Sequence, residues 1–126
     1  MEDGMIYRIA AGGIVTSVFD PFLPDDGTPG FARIKERLFA IGSYGTSASN
    51  VKLYFSKWNS DFTNRGQNNE IWSVALDNVG NFIPSTLQLE ITVPFLPQEN
   101  YSGPVTDIEF ANDGDMLCGE RSFDGD

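Results

Sequence analysis

The chain has no histidine and only one cysteine, Cys118, in 126 residues. Without histidine, a Ser/His or Cys/His nucleophilic pair is impossible within the chain, and without a second thiol no internal disulfide can form. Cys118 lies in the apolar run Met116-Leu117-Cys118, where a buried small hydrophobe is the ordinary expectation. Long apolar runs are also missing, and no stretch reaches the roughly 20 residues of a membrane-spanning helix. Met1-Glu2-Asp3-Gly4 carries neither a basic region nor an apolar core, so any export signal is expected upstream. Basic residues are scarce, with eight Lys and Arg against 18 Asp and Glu for a net charge of −10. That charge opposes phosphate backbones and anionic lipid surfaces, which argues against nucleic acid and membrane insertion. Zinc-ligand spacing, a glycine-rich phosphate loop and a nucleotide fingerprint are all lacking, so no cofactor or metal is expected.

What is present is β-rich and repeated. Hydrophobic residues make up 40% of the chain and aromatics 13%, which excludes general disorder, and the Ile, Val, Phe, Tyr and Thr content favours strands. Ile6-Tyr7-Arg8-Ile9-Ala10 returns as Ile71-Trp72-Ser73-Val74-Ala75, an offset of 65 (6 to 71). Pro21-Phe22-Leu23-Pro24 returns as Pro94-Phe95-Leu96-Pro97 at 73 (21 to 94), and Arg37-Leu38-Phe39-Ala40 as Ile108-Glu109-Phe110-Ala111 at 71 (37 to 108). Elastic offsets place insertions in loops and keep the strands. Repeats of this length without amphipathic helices point to propeller blades rather than helical solenoids. A chain this short holds only a fraction of a closed ring.

Turn residues divide the strands. Asp3-Gly4 opens a strand pattern over 5–10, Ala11-Gly12-Gly13 turns into 14–19, and Asp20–Gly30, with three prolines and two glycines, reads as a loop. A strand is expected over 32–42, with a possible helical turn at its start, and a small-residue turn over 43–50. Val51–Trp58 alternates, with Val51, Leu53 and Phe55 on one face and Lys52, Tyr54, Ser56 and Trp58 on the other. Residues 70–77 are apolar on both faces, as in a strand covered from both sides. Residues 82–93 supply a further strand, and 105–111 with 115–120 form a hairpin across Asn112-Asp113-Gly114. The expected fold over 1–126 is all-β, a partial β-propeller. One complete four-stranded antiparallel blade (32–93) is flanked by an outer half-blade (5–19) and an inner half-blade (105–120).

Three runs carry a family resemblance: Gly4-Met5-Ile6-Tyr7-Arg8-Ile9, Leu53-Tyr54-Phe55-Ser56, and Val105 through Leu117 with its Asn112-Asp113-Gly114-Asp115 turn. They resemble blades of six- to seven-bladed propellers in large secreted or surface proteins of bacteria. The resemblance implies an extracellular or cell-surface multidomain parent and carries over no catalytic residue.

Trp58, Asp61 and Arg65 are the candidate ligand-binding residues, because an Asn/Gly loop flanked by aromatics can stack on sugars or peptide side chains. Trp72 is weighed with them and assigned to packing. Asn112–Asp115 and Asp124-Gly125-Asp126 invite a calcium reading, but the longer ligand loop ending in Glu is missing, so they read as β-turns. Asp77–Asn81 departs in spacing from the Asp-box of sialidase-type propellers and also reads as a turn. The expected role is a non-enzymatic binding or structural module, completed by other blades of a parent chain or by self-association, with a protein, glycan or matrix ligand. The alternative is a propeller hydrolase or lactonase using a divalent ion with Asp107, Glu109 and Glu120.

Overall fold

A computed structural model describes residues 3–22, 32–95, 97 and 100–121. The eight strands are β1 (Ile6–Ile9), β2 (Val15–Phe19), β3 (Leu38–Ser47), β4 (Asn50–Lys57), β5 (Asn69–Leu76), β6 (Phe82–Val93), β7 (Val105–Phe110) and β8 (Met116–Glu120). There is no helix among the described residues. All pairings are antiparallel, in a four-stranded sheet of order β3-β4-β5-β6 and two hairpins, β1-β2 and β7-β8.

Strand alternation sends two sets of side chains out of the central sheet. On its first face Leu38, Phe55 and Val74 meet Ile6 and Phe19 of the β1-β2 hairpin, with Leu53, Trp72, Phe82 and Leu87 around them. On its second face Ala40 and Ile71 meet Val105 and Ile108 of β7, with Tyr54 and Val93 alongside. The two hairpins therefore lie on opposite faces of one sheet. β5 is apolar on both faces because both are covered. Each fully buried Ile, Leu or Phe contributes about 1.5–3 kcal/mol relative to exposure, so the two clusters rather than the turns hold the layers together.

β3 changes face at a bulge between Leu38 and Ile41. One extra residue there turns Leu38 to the first face and Ala40 to the second. Ser56 closes the gap: its hydroxyl accepts from the Ala40 amide at 2.9 Å and donates to the Val105 carbonyl at 2.6 Å. A matching bulge between Val105 and Asp107 sits in β7.

Three turns share one geometry. Ala10–Ile14, Asp77–Asn81 and Ala111–Asp115 each close with two backbone hydrogen bonds of 2.9–3.0 Å. In each, the fourth residue is a glycine at φ +80° (Gly13), +84° (Gly80) or +95° (Gly114), a left-handed conformation that side chains resist.

Several expectations shift in detail. The strand expected over 32–42 begins at Leu38, because Lys35 takes φ +77° and residues 34–36 form a turn held by Lys35 N to Trp58 O and Glu36 N to Arg33 O. The turn expected over 43–50 is mostly strand, since β3 runs to Ser47 and β4 starts at Asn50. The bulges also move the repeat: Val105 corresponds to Leu38 and Ile108 to Ile41, an offset of 67 (38 to 105) rather than 71. Short alternating strands align equally well at even slips, and only the bulge breaks the tie. Cys118 is exposed, because among the described residues β8 is a free edge. Leu23, Pro24, Leu96 and the Asp124-Gly125-Asp126 turn lie outside the described residues.

Candidate functional site

The loop from Trp58 to Asn68 joins β4 to β5 and contains the three candidate residues. Asparagine and aspartate build it by bonding to backbone in place of secondary structure. The Asn59 amide donates to Asn69 Oδ1 at 3.0 Å, Asn59 Nδ2 donates to Asn68 O at 3.0 Å, and Asn69 Nδ2 donates to Gly103 O at 2.8 Å. Gly66, at φ +72°, donates its amide to Asn100 O at 2.6 Å. The loop is thus tied to the segment that leads into β7.

Trp58 is buried. Its indole Nε1 donates to Ser102 O at 3.0 Å, Phe39 meets its ring edge-on with centroids 5.5 Å apart, and the Arg37 guanidinium carbon lies 5.7 Å from the ring centroid. Its position makes it an anchor beneath the loop rather than a platform on it. Asp61 organises the loop from inside: Oδ1 accepts from Thr63 N at 2.9 Å, Asn64 N at 2.6 Å and Asn64 Nδ2 at 2.9 Å. Burial pulls its carboxyl upward, but the Asn64 and Thr63 hydrogen bonds outweigh this and hold it below the usual carboxylate range.

Arg65 faces outward. Its guanidinium carbon lies 5.3 Å from the Tyr101 ring centroid and 5.9 Å from that of Phe62, and its Nε donates to Phe62 O at 3.2 Å. The two rings lie 4.6 Å apart, Tyr101 buried and Phe62 58% exposed. A cation against two aromatic rings, fixed on a hydrogen-bonded loop, is pre-organised to stack on a planar, sugar or aromatic group. Phe62 and Tyr101 complete the site although the sequence did not single them out. Phe62 was visible as the one large apolar residue of the polar run 59–69, whereas Tyr101 lies 36 positions beyond Arg65 (65 to 101) and carries no local signal.

The other residues weighed from sequence lie elsewhere. Trp72 packs edge-on against Phe22 at 5.2 Å and donates Nε1 to Glu70 Oε2 at 2.8 Å. Asp77 caps its own turn, accepting from Val79 N, Asn81 N and Asn81 Nδ2 at 2.8–3.0 Å. Asp107 and Glu109 are exposed on the side of β7 turned away from the central sheet, and Glu120 is exposed at the end of β8. No cluster of three or more potential metal ligands forms among the described residues.

Two ion pairs brace the central sheet. Lys52 Nζ lies 2.9 Å from Glu90 Oε1, which also accepts from Ser73 Oγ at 2.6 Å, and Lys57 Nζ lies 3.1 Å from Glu70 Oε2. Burial pulls Glu70 and Glu90 upward, yet the hydrogen bonds from Trp72 and Lys57, and from Lys52 and Ser73, prevail and leave both carboxyls below their ordinary range. The Glu90 hydrogen bond, opposed by desolvation, leaves Lys52 raised above 10.5. A depressed carboxyl contributes stability above its unfolded pKa and loses it as pH falls through the folded value. A raised amine contributes below its unfolded pKa and loses this as pH rises past the folded value. Thermal melts are therefore expected to show a plateau near neutrality, a fall from about pH 5 to about pH 3, and a second fall above about pH 10.5. Glu90→Gln should flatten both slopes and cost no more than about 1 kcal/mol near pH 7, the range of screened pairs. An unchanged acid slope in this variant would contradict the assignment.

No protein-family model matches the chain, and no curated protein or solved structure does either.

Proposed function

We propose that the chain is a segment of a β-propeller in a secreted or cell-surface protein, with a non-enzymatic role: it supplies blades to a circular stack and displays the Phe62–Arg65–Tyr101 loop for recognition. The observation that carries this reading is the common sense of the three sheets. Ile6 of β1 faces the sheet that follows it, and Ile71, on the matching face of β5, also faces the sheet that follows it. Leu38 faces the sheet before it, and so does its counterpart Val105. Stacking by a repeated operation, rather than face to face about a two-fold axis, is how wedge-shaped sheets progress around an axis. The extracellular setting rests on the family resemblance, and the recognition role on the loop.

A net charge of −10 directs the ligand choice toward neutral glycans or basic and aromatic peptide surfaces. Arrays of glycans and extracellular proteins probed with the wild-type chain are expected to give hits that weaken at least about tenfold in Phe62→Ala and Arg65→Ala. Phe62→Ala, at an exposed position, should shift stability by no more than about 0.5 kcal/mol. Hits that survive both substitutions would move recognition away from this loop. A blank array would leave a purely spacing role.

A further inference from the structure

The two hairpins leave different parts of the central sheet uncovered. β7 lies over β3 and β4, with Phe110 stacked 5.1 Å from Tyr44 and 4.7 Å from Tyr54, while Ile91 on β6 stays 40% exposed. β1-β2 reaches across to β6, where Phe19 stacks on Phe82 at 5.2 Å, while Ile41 of β3 stays 45% exposed. Beside β1 this leaves an apolar groove of about 240 Å³ whose lining includes Ile6, Arg8, Ile41, Leu53 and Phe82.

Each hairpin repeats one half of the central sheet. The bulge and ladder of β7-β8 match those of β3-β4, so β8 corresponds to β4. The turn and adjoining ladder of β1-β2 match those of β5-β6 at an offset of 67 (13 to 80), so β1 corresponds to β5. In the central sheet β4 and β5 are neighbours, whereas among the described residues β8 and β1 are both free edges. We propose that β8 of one copy pairs antiparallel with β1 of a second copy, completing a four-stranded sheet of order β7-β8-β1-β2.

Charge and shape complement each other across this junction. β7-β8 carries Asp107, Glu109 and Glu120, none in an ion pair among the described residues. Arg8 is the one cation of β1-β2. It is held by Val79 O at 2.7 Å and Asn81 Oδ1 at 3.0 Å, with its guanidinium against Gly80, and it meets no carboxylate among the described residues. Leu117, 65% exposed, occupies the place that Tyr54 holds in β4 and turns toward the groove beside Arg8 of the second copy. Free strand edges with exposed apolar side chains favour such pairing. Each copy then contributes two sheets to a ring, so two to four copies give the roughly four to eight blades of closed propellers.

The pairing rests on the propeller reading, and the two are separable by experiment. Phe55 lies opposite Trp72 in the β4-β5 ladder, and the shared turn puts Met5 in the place of Trp72, so Cys118 of one copy should lie opposite Met5 of another. Light scattering on the wild-type chain at micromolar concentration should show a discrete oligomer. Met5→Cys under mild oxidation should give cross-linked chains that vanish when Cys118→Ser is added. Leu117→Lys, at an exposed position, should weaken assembly at least tenfold while the melting curve of the monomer is retained. A monomeric wild type without cross-links overturns the pairing, and so does an oligomer that ignores both substitutions. If contacts between Ile6 and Leu38 and between Ile108 and Ile71 persist in that monomer, only the copy-to-copy pairing falls; their loss overturns the stack itself.

Discussion

Replacing Phe55 with alanine is expected to cost about 3–5 kcal/mol of folding stability, a large part of the about 5–15 kcal/mol that holds a domain folded. Phe55 is fully buried at the centre of the cluster between β1-β2 and the central sheet, with Phe22 edge-on at 6.0 Å. Truncation loses the transfer energy of the ring and opens a cavity that two β-layers, each held by its own ladder, collapse into poorly. Urea unfolding followed by tryptophan fluorescence measures the loss, since Trp72 packs against the same cluster. Leu89→Ala on β6, partly exposed, serves as the control and should cost far less. A Phe55→Ala loss below about 1 kcal/mol would mean that the β1-β2 hairpin is not packed on this face.

Gly42→Val tests the other face. A Cβ at position 42 stands 2.6 Å from the Ile108 carbonyl oxygen and 3.1 Å from Ile108 Cγ2. The first of these is backbone and cannot rotate aside, so β7 must separate from β3. Overpacking of this kind costs about 1–3 kcal/mol. The damage should also be local: amide exchange in β7-β8 should accelerate more than exchange in β1-β2, which packs on the opposite side. Equal acceleration in both hairpins, or none, would contradict the close approach of β7 to β3.

These two positions also mark what the sequence reveals and what it does not. The four-plus-two-plus-two grouping of strands was legible because Gly13, Gly80 and Gly114 sit in turns whose backbone demands glycine, and because β5 is apolar on both faces. Gly45, by contrast, falls in the segment expected as a turn, although it lies inside β3 with the β4 backbone pressed against it, and Gly42, at the end of the expected strand, gives no sign that the Ile108 backbone packs on it. A glycine needed for close approach leaves the same mark in a sequence as one needed for a turn. The bulges at Leu38–Ile41 and Val105–Asp107 are likewise silent in composition, which is why the repeat aligns four residues away from its structural register.

At the candidate site the local chemistry was legible and the long-range partners were not. Asp61 and the flanking asparagines announced a structured loop. The burial of Trp58 depends on Ser102 O, 44 positions away, and the stacking of Arg65 depends on Tyr101. Such partners are set by how the hairpins lie on the central sheet, and hydrophobic periodicity fixes which face is buried without fixing what covers it.

The most direct test of the central claim, that the two hairpins lie on opposite faces of one sheet in the same sense, is a methyl and aromatic NOE spectrum of the labelled chain. Ile6 should show cross-peaks to Leu38 and Phe55, and Ile108 should show them to Ile71 and Ala40, with none between Ile6 and either Val105 or Ile108. A cross-peak from Ile6 to Ile108 or Val105 within a single copy would place both hairpins on one face, as in a closed sandwich, and would contradict the account.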